Sequence, residues 1–453
     1  MQQQMSKLSI LPNYSIDIEI THNPHNFALT DLFKMAARIN KKRQFLFVST
    51  VLGKHLAVRP QVPLLTGTLL AMMYHQNFTG QKVIASSAVI KSLKEGTELD
   101  ELPKSVEGSI ELTMETLFIG FAETATALGH AVFNAFQSNA MYIHTTREVL
   151  PGFEPFVTFE EEHSHATSHR IYTEEPEVLL QAKRIVLIDD EITTGNTVIN
   201  IIQTLKQKFP LVQHYTVLSI LDWRSEQQQL AFKQLEEQWG ISIEFIAIMC
   251  GHFNCTGVPS LTRAQPSLLT HTAQDIKLLP IKESVDRKYY QSVAENGLVN
   301  NQPYLVATGR FMLTSKQHFE QRKMVQAIAK QLKELRTDGP ALVVGTGEFM
   351  YVPMQIASYL GNDVYFQSTT RSPIYRTDEL DYTITDKIAF ESPENNGVDN
   401  YLYNVQSQSY SELFFIVERI ASKEVVARVV KSLQSVSNAK IYVICMHEME
   451  VVR

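Results

Sequence analysis

Residues Arg184 to Thr197 read R-I-V-L-I-D-D-E-I-T-T-G-N-T, and few stretches leave a chain so little freedom of fold. Ile185 to Ile188 is a short unbroken apolar run rich in β-branched side chains, the pattern of a strand covered on both faces of a parallel sheet. The chain then turns sharply through Thr-Thr-Gly, and Val198 to Lys206 carries a helical spacing of apolar residues. Asp189 and Asp190 thereby stand at the carboxyl end of a strand, followed by a small-residue loop at a helix N-terminus. Open α/β sheets place their ligands at that edge, and the amides that begin a helix suit an anion. The stretch that includes Glu191, Thr193, Thr194, Gly195, Asn196 and Thr197 offers backbone N–H groups and hydroxyls to a phosphate, while the two aspartates accept hydrogen bonds from a neighbouring diol. Phosphate beside diol describes a ribose 5-phosphate. The plainer alternative is an ordinary strand–turn–helix whose acids cap the helix.

Four apolar residues, two acids, then Thr-x-Gly-x-Thr resembles the signature with which type I phosphoribosyltransferases bind phosphoribosyl pyrophosphate (PRPP). The resemblance implies an α/β fold with a doubly wound parallel sheet and an N-terminal hood over sugar and base. Lys54 and His55, in a glycine turn after the strand-like Phe45 to Thr50, fall where such a hood reaches the ligand. Upstream, Leu117 to Gly129 reads as a second strand–loop–helix, and the small residues Ala122 and Ala125, with Thr124 and Thr126, permit close approach of an anion to the backbone. On the family pattern the loop Phe121, Ala122, Glu123, Thr124, Ala125, Thr126 cradles pyrophosphate; a turn chosen only for packing is the plainer reading. Arg147, after a short strand from Met141 to His144, offers a bidentate fork to phosphate. Glu160 to His169 occupies the place of a loop that closes over the leaving group, with His163 and His165 on one face if it is extended. A metal-binding tract and a solvated polar hairpin compete for the same segment. A strand over Tyr14 to Thr21, helices over Leu29 to Ile39 and Glu226 to Trp239, and a strand over Tyr215 to Leu221 complete this half.

With 453 residues, two or three domains are expected. A balance of 41 basic against 48 acidic residues excludes a general nucleic-acid or anionic-membrane binder. No run of apolar residues is long enough to span a bilayer and the N-terminus is polar, so a cytosolic, membrane-free protein is expected. Three cysteines cannot form a disulfide framework; Cys250, His252 and Cys255 are close enough to suggest a metal but lack an evident fourth ligand, so structural cysteines are the simpler view.

The C-terminal part repeats the order of features in the first. Leu342 to Glu348 matches Leu117 to Glu123, Thr369-Thr370-Arg371 matches Thr145-Thr146-Arg147, and Phe390-Glu391 precedes Tyr403 as Phe159-Glu160 precedes Tyr172. Order and spacing preserved together point to internal duplication. The repeat lacks the chemistry: Phe349-Met350-Tyr351 replaces Thr124-Ala125-Thr126, and Val417-Glu418-Arg419 stands where the acid pair belongs. Its Thr370-Arg371-Ser372-Pro373 is similar to the motif of the TRSP domain. The whole chain therefore resembles orotate-phosphoribosyltransferase-like proteins with a C-terminal TRSP domain, of tellurium-resistance-type stress gene clusters. The expected organisation is a phosphoribosyltransferase-like domain with its hood over residues 1–255, a linker over 256–302, and a degenerate phosphoribosyltransferase-like α/β copy over 303–453.

The resemblance implies transfer of a 5-phosphoribosyl group from PRPP to a nitrogenous base-like acceptor with Mg²⁺ held mainly by the substrate, in the making of a nucleotide-like metabolite. Asp189 and Asp190 would favour the positive charge that develops on the sugar. Purine-salvage relatives carry an acid at the position of Thr193, which makes simple hypoxanthine or guanine salvage a poor fit. A PRPP-binding regulator or assembly component without turnover is the alternative, and a homodimer or a complex with other proteins of the stress cluster is open.

Overall fold

The first sheet is built around the strand of the acid pair. In the computed structural model, which describes residues 4–39, 43–161, 167–261, 276–281, 283–294, 297–394, 398–405, 409–435 and 437–447, β1 (Gln4–Leu11) and β2 (Tyr14–His22) form an antiparallel hairpin. A second hairpin, β3 (Phe33–Ala37) with β4 (Phe45–Ser49), precedes the helix α1 (Gln61–Thr79). Then follow β5 (Ile110–Gly120), α2 (Ala125–Phe133), β6 (Phe136–His144) and a ribbon of β7 (Val157–Glu161) and β8 (Thr167–Ile171). After these come β9 (Arg184–Ile188), α3 (Asn196–Lys208), β10 (His214–Asp222), α4 (Glu226–Trp239) and β11 (Ser242–Gly257). The strand order is β1-β2-β11-β10-β9-β5-β6, parallel from β11 to β6, with Leu313-Thr314 antiparallel on the far edge. The sheet is thus mixed, with a parallel centre. Ile185, Val186, Leu187 and Ile188 are wholly buried in it, as an unbroken apolar run requires.

The helix expected over Leu29 to Ile39 is a correction. Only Leu29–Leu32 is helical, and the rest is β3. Pairing across the fold overrides local propensity here: β3 is bonded to β4 on one side, and on the other Ile39 N donates to Pro373 O at 3.1 Å and Tyr375 N to Ala37 O at 2.9 Å. Phe33 and Phe47 also pack on Trp223, which fastens the hairpin over the carboxyl end of β10.

A second, wholly parallel sheet holds the rest. It contains β12 (Ile276–Pro280), within the segment expected to be linker, then α5 (Ser315–Lys333), β13 (Ala341–Gly345), α6 (Tyr351–Tyr359) and β14 (Val364–Ser368). A ribbon of β15 (Lys387–Glu391) and β16 (Asp399–Tyr403) precedes β17 (Glu412–Val417), α7 (Lys423–Gln434) and β18 (Lys440–Cys445). The order β18-β17-β13-β14 repeats β10-β9-β5-β6, with β12 added at the β18 edge.

The repeat extends to single hydrogen bonds. Ala122 N donates to Thr145 Oγ1 at 2.9 Å, and Gly347 N donates to Thr369 Oγ1 at 3.0 Å. Thr146 exchanges backbone bonds with Arg170, as Thr370 does with Tyr401. Tyr172 OH donates to Glu148 O, and Tyr403 OH to Ser372 O. Gly120 and Gly345 recur for one reason: a Cβ would come within 2.6 Å of Ala125 O or of Phe349 O, so only glycine lets each loop fold back on its strand.

Candidate active site

Because β5, β6 and β9 run parallel, everything that follows them emerges at one sheet edge. Phe121 N donates to Ile188 O at 3.1 Å and Asp189 N to Leu218 O at 3.1 Å, so the loop after β5 and the acid pair after β9 start from adjacent rungs. Asp189 and Asp190 are half-buried, and Asp190 N donates to Asp189 Oδ1 at 2.9 Å. Burial pushes the Asp190 carboxyl upward, with the hydrogen bonds it accepts and the charges of Arg43 and Lys54 pulling the other way.

The loop to α3 is shaped by Gly195, which caps the helix at φ +82° with no side chain to close the first turn. Glycine is required twice over, since a Cβ there would lie 2.6 Å from the Phe232 ring. Thr193, Thr194, Asn196 and Thr197 surround it, each half-buried, and Asn196 N donates to Thr194 Oγ1 at 3.4 Å. Hydroxyls and amides at a helix N-terminus on a ligand-binding edge suit a phosphate.

Glu191 turns away from that loop to the hood, and Arg43 Nη2 meets its Oε1 at 2.5 Å. Burial raises the Glu191 carboxyl and Arg43 opposes the rise. Arg43, in the turn of the β3–β4 hairpin, escaped the sequence reading because nothing local distinguishes it from the lysines before it.

In the loop after β5, Ala122, Ala125 and Thr126 are buried while Glu123 and Thr124 are half-buried, and the peptide between Ala122 and Glu123 is cis. Thr126 Oγ1 donates to Glu123 O at 3.0 Å and also lies 3.0 Å from Glu348 O of the second half. Glu123 forms an ion pair with Lys54, which is 1% exposed and also donates to Gly347 O at 2.9 Å. Arg371 Nε approaches Glu123 Oε2 at 3.4 Å. Burial acts against the Glu123 carboxylate, but Lys54, Arg371 and then Arg147 outweigh it and hold its pKa below the usual range. Burial also disfavours the Lys54 ammonium, so each charge of the pair depends on the other.

The remaining candidates fall at different distances from this edge. His55 is buried beside Tyr403 with its pKa pressed down to about 3, by burial first and then by Lys54, which makes it a neutral packing residue between hood and second half. Arg147 N donates to Glu348 Oε1 at 3.3 Å, so its backbone is tied to the second half while its charge still reaches Glu123. His163 and His165 lie outside the described residues. Cys250, Cys255 and Cys445 are free thiols, and among the described residues no three His, Cys, Asp or Glu side chains converge as a metal cage.

The corresponding edge of the second sheet is filled. Arg419, where Glu191 stands in the first half, is 1% exposed, lies 3.8 Å over the Tyr304 ring and donates to Gln302 O at 2.9 Å and Asn300 O at 3.0 Å. Arg310, also buried, meets Glu348 at 2.9 Å and Glu148 at 3.1 Å. Phe349 and Met350 are buried in the core, and Tyr351 stacks on His130 at 3.7 Å.

Residues 32–252 match the family model described as phosphoribosyl transferase, and residues 307–433 match that of the TRSP domain, C-terminal to it. No curated protein matches the chain in sequence. Among solved structures it is similar to the adenine phosphoribosyl transferase of Trypanosoma brucei in complex with AMP, pyrophosphate and ribose-5-phosphate, at 14% identity and a TM-score of 0.31 over 54% of this chain and 86% of that one. The adenine phosphoribosyltransferase of Leishmania tarentolae gives 13% and 0.28, over 54% of this chain and 94% of that one. The Mycobacterium tuberculosis H37Rv orotate phosphoribosyltransferase in complex with PRPP gives 13% and 0.18, over 42% and 90%. Likenesses this distant carry nothing about substrate. No helix among the described residues is long and apolar enough to cross a membrane.

Proposed function

Because the chain belongs to the phosphoribosyl transferase family and continues into a TRSP domain, we propose that it moves the 5-phosphoribosyl group from PRPP to a nitrogenous acceptor and releases pyrophosphate. The observation that carries this reading is the meeting of three loops at one sheet edge: the acid pair after β9, the Gly195 loop at the start of α3, and the small-residue loop after β5. The Gly195 loop anchors the 5-phosphate. Asp189 and Asp190 hold the ribose hydroxyls and stabilise the positive charge that grows on the anomeric carbon as the leaving group departs. Such fixed charge is effective because the site is partly desolvated.

The donor set also fits Mg²⁺. This ion takes oxygen ligands and commonly relies on substrate phosphates and one or two carboxylates, of the kind Asp189 and Asp190 provide. Bound with PRPP, it would supply charge neutralisation to the diphosphate.

Release of labelled pyrophosphate from PRPP, measured against a panel of bases with and without Mg²⁺, tests the proposal. Asp189→Asn combined with Asp190→Asn should abolish release while thermal unfolding stays within a few degrees of the parent, since the packing of Ile185 to Ile188 is untouched. Tight PRPP binding with no release for any acceptor would favour the regulator over the enzyme.

A further inference from the structure

The T-R-S-P segment lies beside the first half's edge, as the Gly347–Glu348 turn does, and each of its residues has a visible task. Thr370 pairs with Tyr401 through the backbone and accepts from Ser372 N at 3.1 Å. Ser372 O accepts from Tyr403 OH at 2.6 Å, and Pro373 O accepts from Ile39 N of the hood. These contacts brace the turn from both sides and leave Arg371, with a quarter of its side chain exposed, directed at Glu123.

The loop after β5 has a charge problem that this arginine answers. From Phe121 to Thr126 it contains no cation and one carboxylate, so by itself it repels a diphosphate. Lys54 and Arg371 both converge on that carboxylate, which brings the three groups to a net charge of +1. The arrangement is reciprocal across the duplication, because Glu348, the counterpart of Glu123, takes Thr146 Oγ1 at 2.8 Å and Arg147 N from the first half. Reciprocity ends at the cations: buried Arg310 holds Glu348, whereas a partly exposed arginine holds Glu123.

Resting on the phosphoribosyl-transfer reading, we propose that the TRSP half supplies a working part of the first half's site: Arg371, with Lys54, binds the diphosphate of PRPP, and the Glu123 carboxylate keeps their place until that diphosphate displaces it. The depressed pKa of Glu123 agrees, since a carboxylate must stay charged to hold two cations at neutral pH. Arginine suits the task because its planar fork binds two phosphate oxygens at once.

The experiment is titration calorimetry of the full-length protein with inorganic diphosphate, with ribose 5-phosphate and with PRPP, each in the presence of Mg²⁺. Arg371→Gln should weaken diphosphate by about tenfold or more, the size of one lost charge-assisted hydrogen bond. Glu123→Gln should tighten diphosphate severalfold, because it removes the competing anion, and ribose 5-phosphate should be unaffected by either change. Opposite signs are decisive: an ion pair that merely holds the halves together would make both variants weaken binding alike. Parent-like diphosphate binding by Arg371→Gln, or the same loss in both variants, overturns the proposal. If the parent protein binds PRPP while Arg371→Gln leaves diphosphate unchanged, the transferase reading stands and only the role of the second half falls; if the parent binds neither PRPP nor diphosphate, both fall together.

Discussion

At the scale of single residues, this edge is made by positions that tolerate no substitute for different reasons. Gly195 needs both a left-handed backbone and empty space, whereas Asp190 needs cations near enough to keep a half-buried carboxyl charged. Gly195→Ala should therefore cost about 1–3 kcal/mol from backbone strain, read as a lower urea midpoint. It should also weaken ribose 5-phosphate in calorimetry, because the Phe232 ring can be avoided only if the loop shifts. The glycine and the acids were legible in the linear motif, since a strand, two acids and a small-residue turn are all local. Arg43 was not, and Arg371 was legible only as part of its motif, because the role of each is set by the carboxylate it meets, 148 residues away for Arg43.

Elements show the same division. α4, β9 and β10 follow the apolar periodicity within a residue or so, because each buries the face that its own pattern defines. β3 does not, because its hydrogen bonds are completed by β4 and by the turn after the T-R-S-P segment. Tyr382 seals that junction, with its OH accepting from Ala37 N at 2.8 Å and donating to Tyr375 O at 3.1 Å. Tyr382→Phe removes the acceptor and leaves a buried amide unpaired, at a cost of about 1–3 kcal/mol. Hydrogen exchange should show the loss as faster exchange at Ala37 and along β3, with β9 and β10 unchanged.

For the whole molecule, the two halves meet through a buried mixture of charges. Arg310, Arg371 and Arg419 face Glu148, Glu348, Glu394 and Glu418, and the balance is not even. Glu348 is pulled down to about 2, burial opposing and Arg310 prevailing, whereas Glu394 is pushed up to about 8 by burial and then by Glu148 and Glu418. A carboxyl whose folded pKa lies above its unfolded value binds more protons folded than unfolded between the two. Its contribution is therefore complete below pH 4.5 and is lost progressively as pH rises to about 8. Across that window Glu394 pulls the unfolding free energy down as pH rises, while buried histidines such as His55 pull it up below pH 6.5, so Glu394→Gln should make the pH slope more positive; an equal slope in parent and variant would overturn this assignment.

Much of the first half's plan was written in the order of the amino acids, because strand and helix periodicity, the acid pair and the glycine turn act over a few residues each. The repeated order of elements was legible for the same reason, as three short motifs kept their spacing. Tertiary structure alone decided which charges are neutralised: that Lys54 and Arg371 share Glu123, that Arg43 holds Glu191, and that Arg419 closes the second edge on the carbonyls of Asn300 and Gln302. Whether a charge can be buried depends on the partner that accompanies it out of water, and that partner is chosen by how two sheets dock, a relation no local pattern encodes.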